Sequence, residues 1–231
     1  MITLRRASER GRFASGWLDS RHTFSFGSYY DPRHLGFRSL RVLNDDRVAP
    51  GGGFPTHPHD NMEILSVVLE GALAHEDSAG HGGVLRLGDV QRMSAGTGIR
   101  HSEVNHSKTE PVHFLQVWIV PETRGLSPSY EQRSLGWHER SGALQVLASR
   151  DGREGSMRVC QDVTMYGVRL ARGERVELSL SQGRHAWVHV ATGSLRVQGH
   201  ALEAGDGLGA SDEALVSLEG GEGTALVFDL A

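Results

Sequence analysis

The sequence predicts an all-β protein built as two related β domains, and three observations carry that reading: alternation in short apolar segments, an excess of glycine and a weak internal repeat. Residues 41–44, 63–69, 84–87, 112–120, 175–180, 187–190, 194–197 and 224–228 are short runs rich in β-branched and aromatic residues, the composition of strands. The 30 glycines stand well above the usual share of about 7% and supply tight turns between those runs. Nowhere do apolar residues recur at i, i+3, i+4 and i+7 for more than about two turns, so helices are expected to be few and short.

The 231 residues suffice for one large or two small domains with a sizeable core. At the N-terminus the basic residues of MITLRRASERGRF have no apolar stretch behind them, and the longest apolar run, 64–69, is interrupted by Ser66 and too short to span a bilayer. A net charge of −4 without a basic tract argues against nucleic acid or an anionic membrane as partner. The single cysteine, Cys160, can form neither an internal disulfide nor a zinc pattern and is expected to be a small buried hydrophobe. These features point to a cytoplasmic protein.

The repeat relates Val68-Leu69-Glu70-Gly71-Ala72-Leu73, followed by Gly88-Asp89, to Val190-Ala191-Thr192-Gly193-Ser194-Leu195, followed by Gly205-Asp206. Both copies read as strand, glycine turn, strand and Gly-Asp turn, and the loop 78–83 absorbs the difference in spacing. Two β domains related by duplication follow. The polar stretch 123–140 is the natural connector, which divides the chain into 1–138 and 139–231.

Most of the 13 histidines precede residue 114, and two local pairs stand out, His57-Pro58-His59 and His101-Ser102-Glu103. Alternate side chains of an extended strand share a face, so each pair presents two donors together. Two such strands facing across a barrel interior would surround one ion with three imidazoles and one carboxylate. Either pair alone is a weak signal at this histidine content; their framing is what makes them specific.

Gly51-Gly52-Gly53-Phe54-Pro55-Thr56 precedes the first pair, with Glu63 and Gly71 after it, and this resembles the first motif of the cupin superfamily. Gly88-Asp89, then Gly98-Ile99-Arg100-His101 and Asn105, resembles the second motif, with Ser94-Ala95-Gly96 where a Pro-x-Gly is commoner. With residues 16–26 (GWLDSRHTFSF), Thr56-His57-Pro58-His59 and residues 94–103 (SAGTGIRHSE), the whole chain is similar to the pirin family, of the bacterial kind assigned quercetin 2,3-dioxygenase activity. The resemblance implies two tandem jelly-roll barrels and one divalent transition metal per chain. Its implied ligands are His57, His59, His101 and Glu103. Glu63, the usual carboxylate ligand of other cupins, is expected to be a supporting or structural group.

The implied reaction is cleavage of a flavonol such as quercetin by dioxygen with loss of carbon monoxide, Glu103 acting as ligand and as general base. Donor type does not separate iron, nickel, manganese, copper and zinc. The competing reading is a metal-bearing regulatory or sensor protein that acts through a protein partner; a third is a different cupin reaction on another small molecule. Turnover of a flavonol against metal-dependent partner capture separates the first two.

In the second repeat, the positions that stand to Gly193 and Asp206 as the four ligands stand to Gly71 and Asp89 are Ser179, Ser181, Leu218 and Gly220, so the C-terminal half is expected to hold no metal. His185 and His189 are expected to be structural, His22 a hydrogen-bonded core histidine, and His106 and His113 surface or strand residues. Phe54, Met62 and Trp118 are core residues by default.

Overall fold

The computed structural model describes residues 1–231. The first half contributes β1 (Ile2–Arg5), β2 (Gly11–Ala14), β3 (Leu18–His22), β4 (Leu40–Val48), β5 (Gly53–His59), β6 (Glu63–Glu70), β7 (Ala72–Asp77), β8 (Gly82–Arg86), β9 (Asp89–Ser94), β10 (Ile99–Asn105), β11 (Val112–Ile119) and β12 (Ser129–Ser134). The second half contributes β13 (Ala143–Ser149), β14 (Met157–Arg158), β15 (Val163–Leu170), β16 (Arg175–Ser179), β17 (His185–Val197), β18 (His200–Glu203), β19 (Gly207–Ser211) and β20 (Leu215–Leu230). Two single 3-10 turns, Ala7–Glu9 and Arg153–Gly155, are the helical content, and no helix is long and apolar enough to cross a membrane.

The N-terminal barrel has two facing sheets, a seven-stranded one in the order β12-β9-β6-β11-β4-β3-β2 and a four-stranded one in the order β5-β10-β7-β8. The third sheet forms the second barrel along β1-β19-β17-β20-β15-β13-β14, with β16 on β20 and β18 on β17. β1 therefore leaves its own half and pairs with β19, Ile2 opposite Ala210 and Arg5 opposite Gly207. Arg5, itself buried, ties this strap back to the first barrel through Thr23 O at 3.1 Å and Tyr29 Oη at 2.8 Å.

The duplication has a physical counterpart in its Gly-Asp turns. Asp89 Oδ2 accepts the backbone N–H of Arg86 at 2.8 Å, and Asp206 Oδ2 accepts that of Glu203 at 3.2 Å, the same three-residue reach. The glycine turns diverge. Gly71 separates β6 from β7, which belong to different sheets, whereas Gly193 lies inside the single strand β17 as a bulge against β20. It sits at φ +66°, and a Cβ there would come 2.0 Å from Glu222 O, so the site admits only glycine. Part of the expected connector is likewise a strand: β12 pairs with β9 along its whole length, because its polar side chains stand at a sheet edge where backbone pairing needs no apolar face.

The central strands β6 and β11 are buried on both faces. One face lines the first barrel. The other enters a cluster of 21 buried residues drawn from both halves, in which Leu65, Val67, Leu115 and Val117 meet Leu147, Met165, Phe228 and Leu230. Trp137, from the link between the barrels, is 2% exposed in that cluster, and its ring occupies the space over Gly167 where a Cβ would approach within 2.7 Å. Beside the apolar interface runs a polar one. Asp45 accepts from His113 Nε2 at 2.7 Å, from Arg10 at 3.2 Å and from Arg47 at 3.2 Å. Burial pushes this carboxyl up, but the His113 hydrogen bond and the surrounding cations outweigh it and hold Asp45 below the usual carboxylate range.

The interior of the second barrel is apolar. Leu178, Leu180, Val216 and Leu218 fill it, while Ser179 faces solvent; on β16 the interior positions thus fall one residue from those obtained by counting along the repeat, whereas on β20 the counted Leu218 is itself interior. His189 is fully buried with neither ring nitrogen partnered, and burial holds its imidazole down to about 3.

Two consequences can be measured. Trp137→Ala removes the indole shared by both halves and should cost about 3–5 kcal/mol in urea unfolding. His189 has a folded pKa of about 3 against an unfolded value near 6.5, so its contribution is intact above pH 6.5 and is lost as pH falls from there toward 3. His189→Leu, compared with the parent in the same metal state, should therefore gain relative stability on going from pH 7 to pH 5; parallel losses would show that this ring does not govern acid sensitivity.

Candidate metal centre

β5 and β10 form the wall on which the histidine pairs lie. Their register sets His101 opposite His57 and Ile99 opposite His59. On β10 alternation buries Ile99, His101, Glu103 and Asn105 and turns Arg100 and Val104 outward. The pairing of β10 with β7 sets Glu103 opposite His75.

The three imidazoles His57, His59 and His101 converge, with ligand atoms all within 4.8 Å of one another and 3.1 Å between His101 Nε2 and His57 Nε2. Their other nitrogens are engaged outward: His57 Nδ1 donates to Pro55 O at 2.8 Å, and His101 Nδ1 lies 3.4 Å from His75 Nδ1. A backbone carbonyl can only accept, so the His57 proton sits on Nδ1 and Nε2 keeps its lone pair for the cluster. Burial, with the neighbouring histidines, holds His101 down to about 2, and burial with His57 holds His59 down to about 4. Both rings are neutral donors near pH 7. Such a donor set fits a first-row divalent metal.

Glu103 is 2% exposed, and its ligand atom groups with those of His101 and His75 within 4.8 Å. Its Oε1 accepts from Ser66 Oγ at 2.9 Å and its Oε2 from Gln116 Nε2 at 2.6 Å. Burial raises its carboxyl to about 7 against those two hydrogen bonds. Ser66 and Gln116 stand opposite each other on β6 and β11, and the same cross-strand row continues through Asn44 on β4 to His22 on β3. His22 Nδ1 lies 2.9 Å from Asn44 Oδ1, in keeping with a hydrogen-bonded core histidine. Asp46, two residues along β4 from Asn44, is 3% exposed and pushed up to about 7 by burial, against a hydrogen bond from Ser20.

Between the two sheets lies a cavity of about 270 Å³ lined by His57, His59, Glu103, Gln116 and Asp46, with Phe26, Phe54 and Trp118 among its apolar walls. Phe54 and Trp118 thus line the cavity, whereas Met62 packs beside Ile64 and Met93 in a small core cluster. Trp118 also meets His59 edge-on, ring centroids 4.8 Å apart.

Several residues lie elsewhere. Glu63 is buried on β6 with the opposite parity to Ser66, so it faces away from the histidines and accepts from Ser94 Oγ at 2.7 Å; it is a structural carboxylate of the outer face. With Arg92 and Cys160 it lines a cleft between the halves, where Cys160 is half-buried rather than enclosed. His106 is exposed, His113 is the buried partner of Asp45, and His185 Nδ1 lies 2.9 Å from Ser211 Oγ. Sequence reasoning missed His75, Asp46 and the Ser66–Gln116 support. Each is a single residue whose partners come from other strands, so no local spacing marks it.

Comparison with known proteins agrees with this geometry. Residues 3–119 match the pirin family model, and residues 146–230 match the model described as the quercetinase C-terminal cupin domain. The chain is 46% identical over 231 residues to a quercetin 2,3-dioxygenase of Escherichia coli (strain K12), covering 100% of this chain and 99% of that protein. It is 39% identical to a pirin-like protein of Caulobacter vibrioides, with 98% of each covered. The crystal structure of the bacterial pirin YhhW from Escherichia coli in complex with nickel(II) superimposes with a TM-score of 0.95 at 45% identity, over 100% of this chain and 99% of that one. With its three convergent imidazoles, two tandem β-barrels and matches over both halves, this chain belongs to the pirin family of the cupin superfamily.

Proposed function

We propose that this protein is a metal-dependent dioxygenase that cleaves flavonols such as quercetin, consuming dioxygen and releasing carbon monoxide, with one divalent transition metal held by His57, His59, His101 and Glu103. The observation that carries the reading is the cluster of three converging imidazoles, with His57 Nε2 and His101 Nε2 turned toward each other, on the wall of an aromatic-lined cavity. Its relatives carrying the quercetin 2,3-dioxygenase name, at 46% and 44% identity, support it.

When bound, the metal supplies a Lewis acid that lowers the pKa of a chelated hydroxyl. Glu103 would take the hydroxyl proton on the carboxylate oxygen that the metal leaves free. Ser66 and Gln116 fix the carboxylate's orientation through one hydrogen bond to each oxygen. Phe26, Phe54 and Trp118 offer faces and edges to flat aromatic rings and keep water away from them.

In this reading residues 1–138 carry the centre and 139–231 form a metal-free barrel that stiffens it through the shared core, β1 being the one strand that crosses. The work is done in the cytoplasm, in accord with the single unpaired cysteine.

Elemental analysis checks the ligands: His57→Ala and His101→Ala should each lose stoichiometric metal, and full retention by both would place the ion elsewhere. Glu103→Gln keeps the size and one oxygen while removing the basic one. Saturated with metal, it should turn over quercetin more slowly by roughly 10²- to 10⁴-fold, partly recovered with substrate already ionised at high pH. Near-parental turnover at neutral pH would remove Glu103 from the chemistry. Metal-dependent capture of a protein partner with no oxygen uptake on any flavonol would favour the sensor reading.

A further inference from the structure

Resting on the flavonol reading, we infer that Asp46 is a specificity-determining residue: its carboxyl pairs with a phenolic hydroxyl on the part of the aromatic ligand that does not reach the metal centre.

Two pairs of polar side chains in the cavity lining are satisfied by each other: Gln116 donates to Glu103, and His22 lies against Asn44. Among the buried side-chain atoms of its lining two have no partner, the acceptor Asp46 Oδ1 and the donor Trp118 Nε1. A buried carboxyl oxygen left without a donor costs free energy that an apolar residue of similar size would not. Such a group is retained where something outside the fold supplies the missing hydrogen bond.

Its placement indicates what that donor is. Asp46 stands on β4 opposite Ser20 and Phe114, in the seven-stranded sheet, while His57, His59 and His101 stand on the facing four-stranded sheet. A ligand chelated at the histidines and extending across the cavity brings its far end to β3 and β4. Leu18, Phe26, Phe54 and Trp118 stand among the walls and offer apolar surface to a flat aromatic ring that carries its own hydroxyl, whereas an ammonium group would have to give up its hydration against them. A neutral hydroxyl on an aromatic ring loses far less. It can donate to the carboxyl in either protonation state, since the ionised group accepts on both oxygens and the neutral one on its carbonyl oxygen.

The test compares quercetin, hydroxylated on both outer rings, with 3-hydroxyflavone, which carries only the chelating pair. Dissociation constants are measured anaerobically on the nickel-loaded protein, so binding is read apart from turnover. The parent should favour quercetin by about ten- to hundredfold, the range of a hydrogen bond to a carboxylate. In Asp46→Leu the preference should fall at least roughly fivefold, while in Asp46→Asn, whose amide oxygen still accepts, part of it should survive. The Leu variant should stay folded and melt close to the parent, since the loss of the hydrogen bond from Ser20 is set against removal of a buried carboxyl oxygen that has no donor.

An unchanged preference in the Leu variant, or equal weakening of both ligands, would overturn the assignment. So would failure of both the Leu and the Asn variants to fold, because the carboxyl would then serve the fold and not a ligand. A parent that binds neither compound overturns the assignment together with the flavonol reading. A parent that binds both and turns over neither in oxygen overturns only the dioxygenase reading, and the binding contrast still decides Asp46.

Discussion

The centre depends on the register of one strand. β10 is paired on both sides, and its two partners assign its two inward chemical groups: β5 sets His57 beside His101, and β7 sets His75 beside Glu103. A slip of one residue would turn both inward groups to solvent and bring Arg100 and Ser102 into the barrel. Part of what fixes the register is close backbone contact. At Gly53 a Cβ would come 2.5 Å from Val104 Cα, so β5 can approach β10 this closely only because no side chain intervenes. A register shift between His101 and Glu103 against β5 lets the strand satisfy both neighbours.

The facing sheet has the complementary task. It offers no ligand to the cluster; it holds the carboxylate through Ser66 and Gln116 and closes the rest of the cavity with aromatic rings and the His22–Asn44 pair. The precision of that hold comes from behind. β6 and β11, which carry Ser66 and Gln116 inward, bury their outward faces in the core shared with the second barrel. The second barrel thus backs the strands that hold Glu103: Met165 and Phe228 share one buried cluster with Leu65, Val67, Leu115 and Val117.

Much of this was legible in the sequence, for reasons tied to particular residues. The runs at 63–69 and 112–120 coincide with β6 and β11 to within a residue, because strands buried on both faces read as continuous apolar segments. The segments 187–190 and 194–197 are one strand, since Gly193, which reads as a turn, serves as a bulge when both flanks pair with β20. β9 went unread because its Gln91, Arg92 and Ser94 are buried by pairing and not by hydrophobicity. The histidine pairs were visible because each is local in the chain. His75 and Asp46 were not, because what makes them notable is the strand next door, and cross-strand register has no signature in one sequence.

β1 sets the order in which the molecule can be completed. It precedes the whole of the first barrel in the sequence, yet its partner β19 begins at Gly207, within the second barrel. Through most of synthesis Ile2–Arg5 has no sheet to join, and the strap can seat only after nearly everything else has been made. Closure of the two-barrel body thus waits on β19: until that strand is in place, β1 has no partner and presents an open edge to which another strand could add.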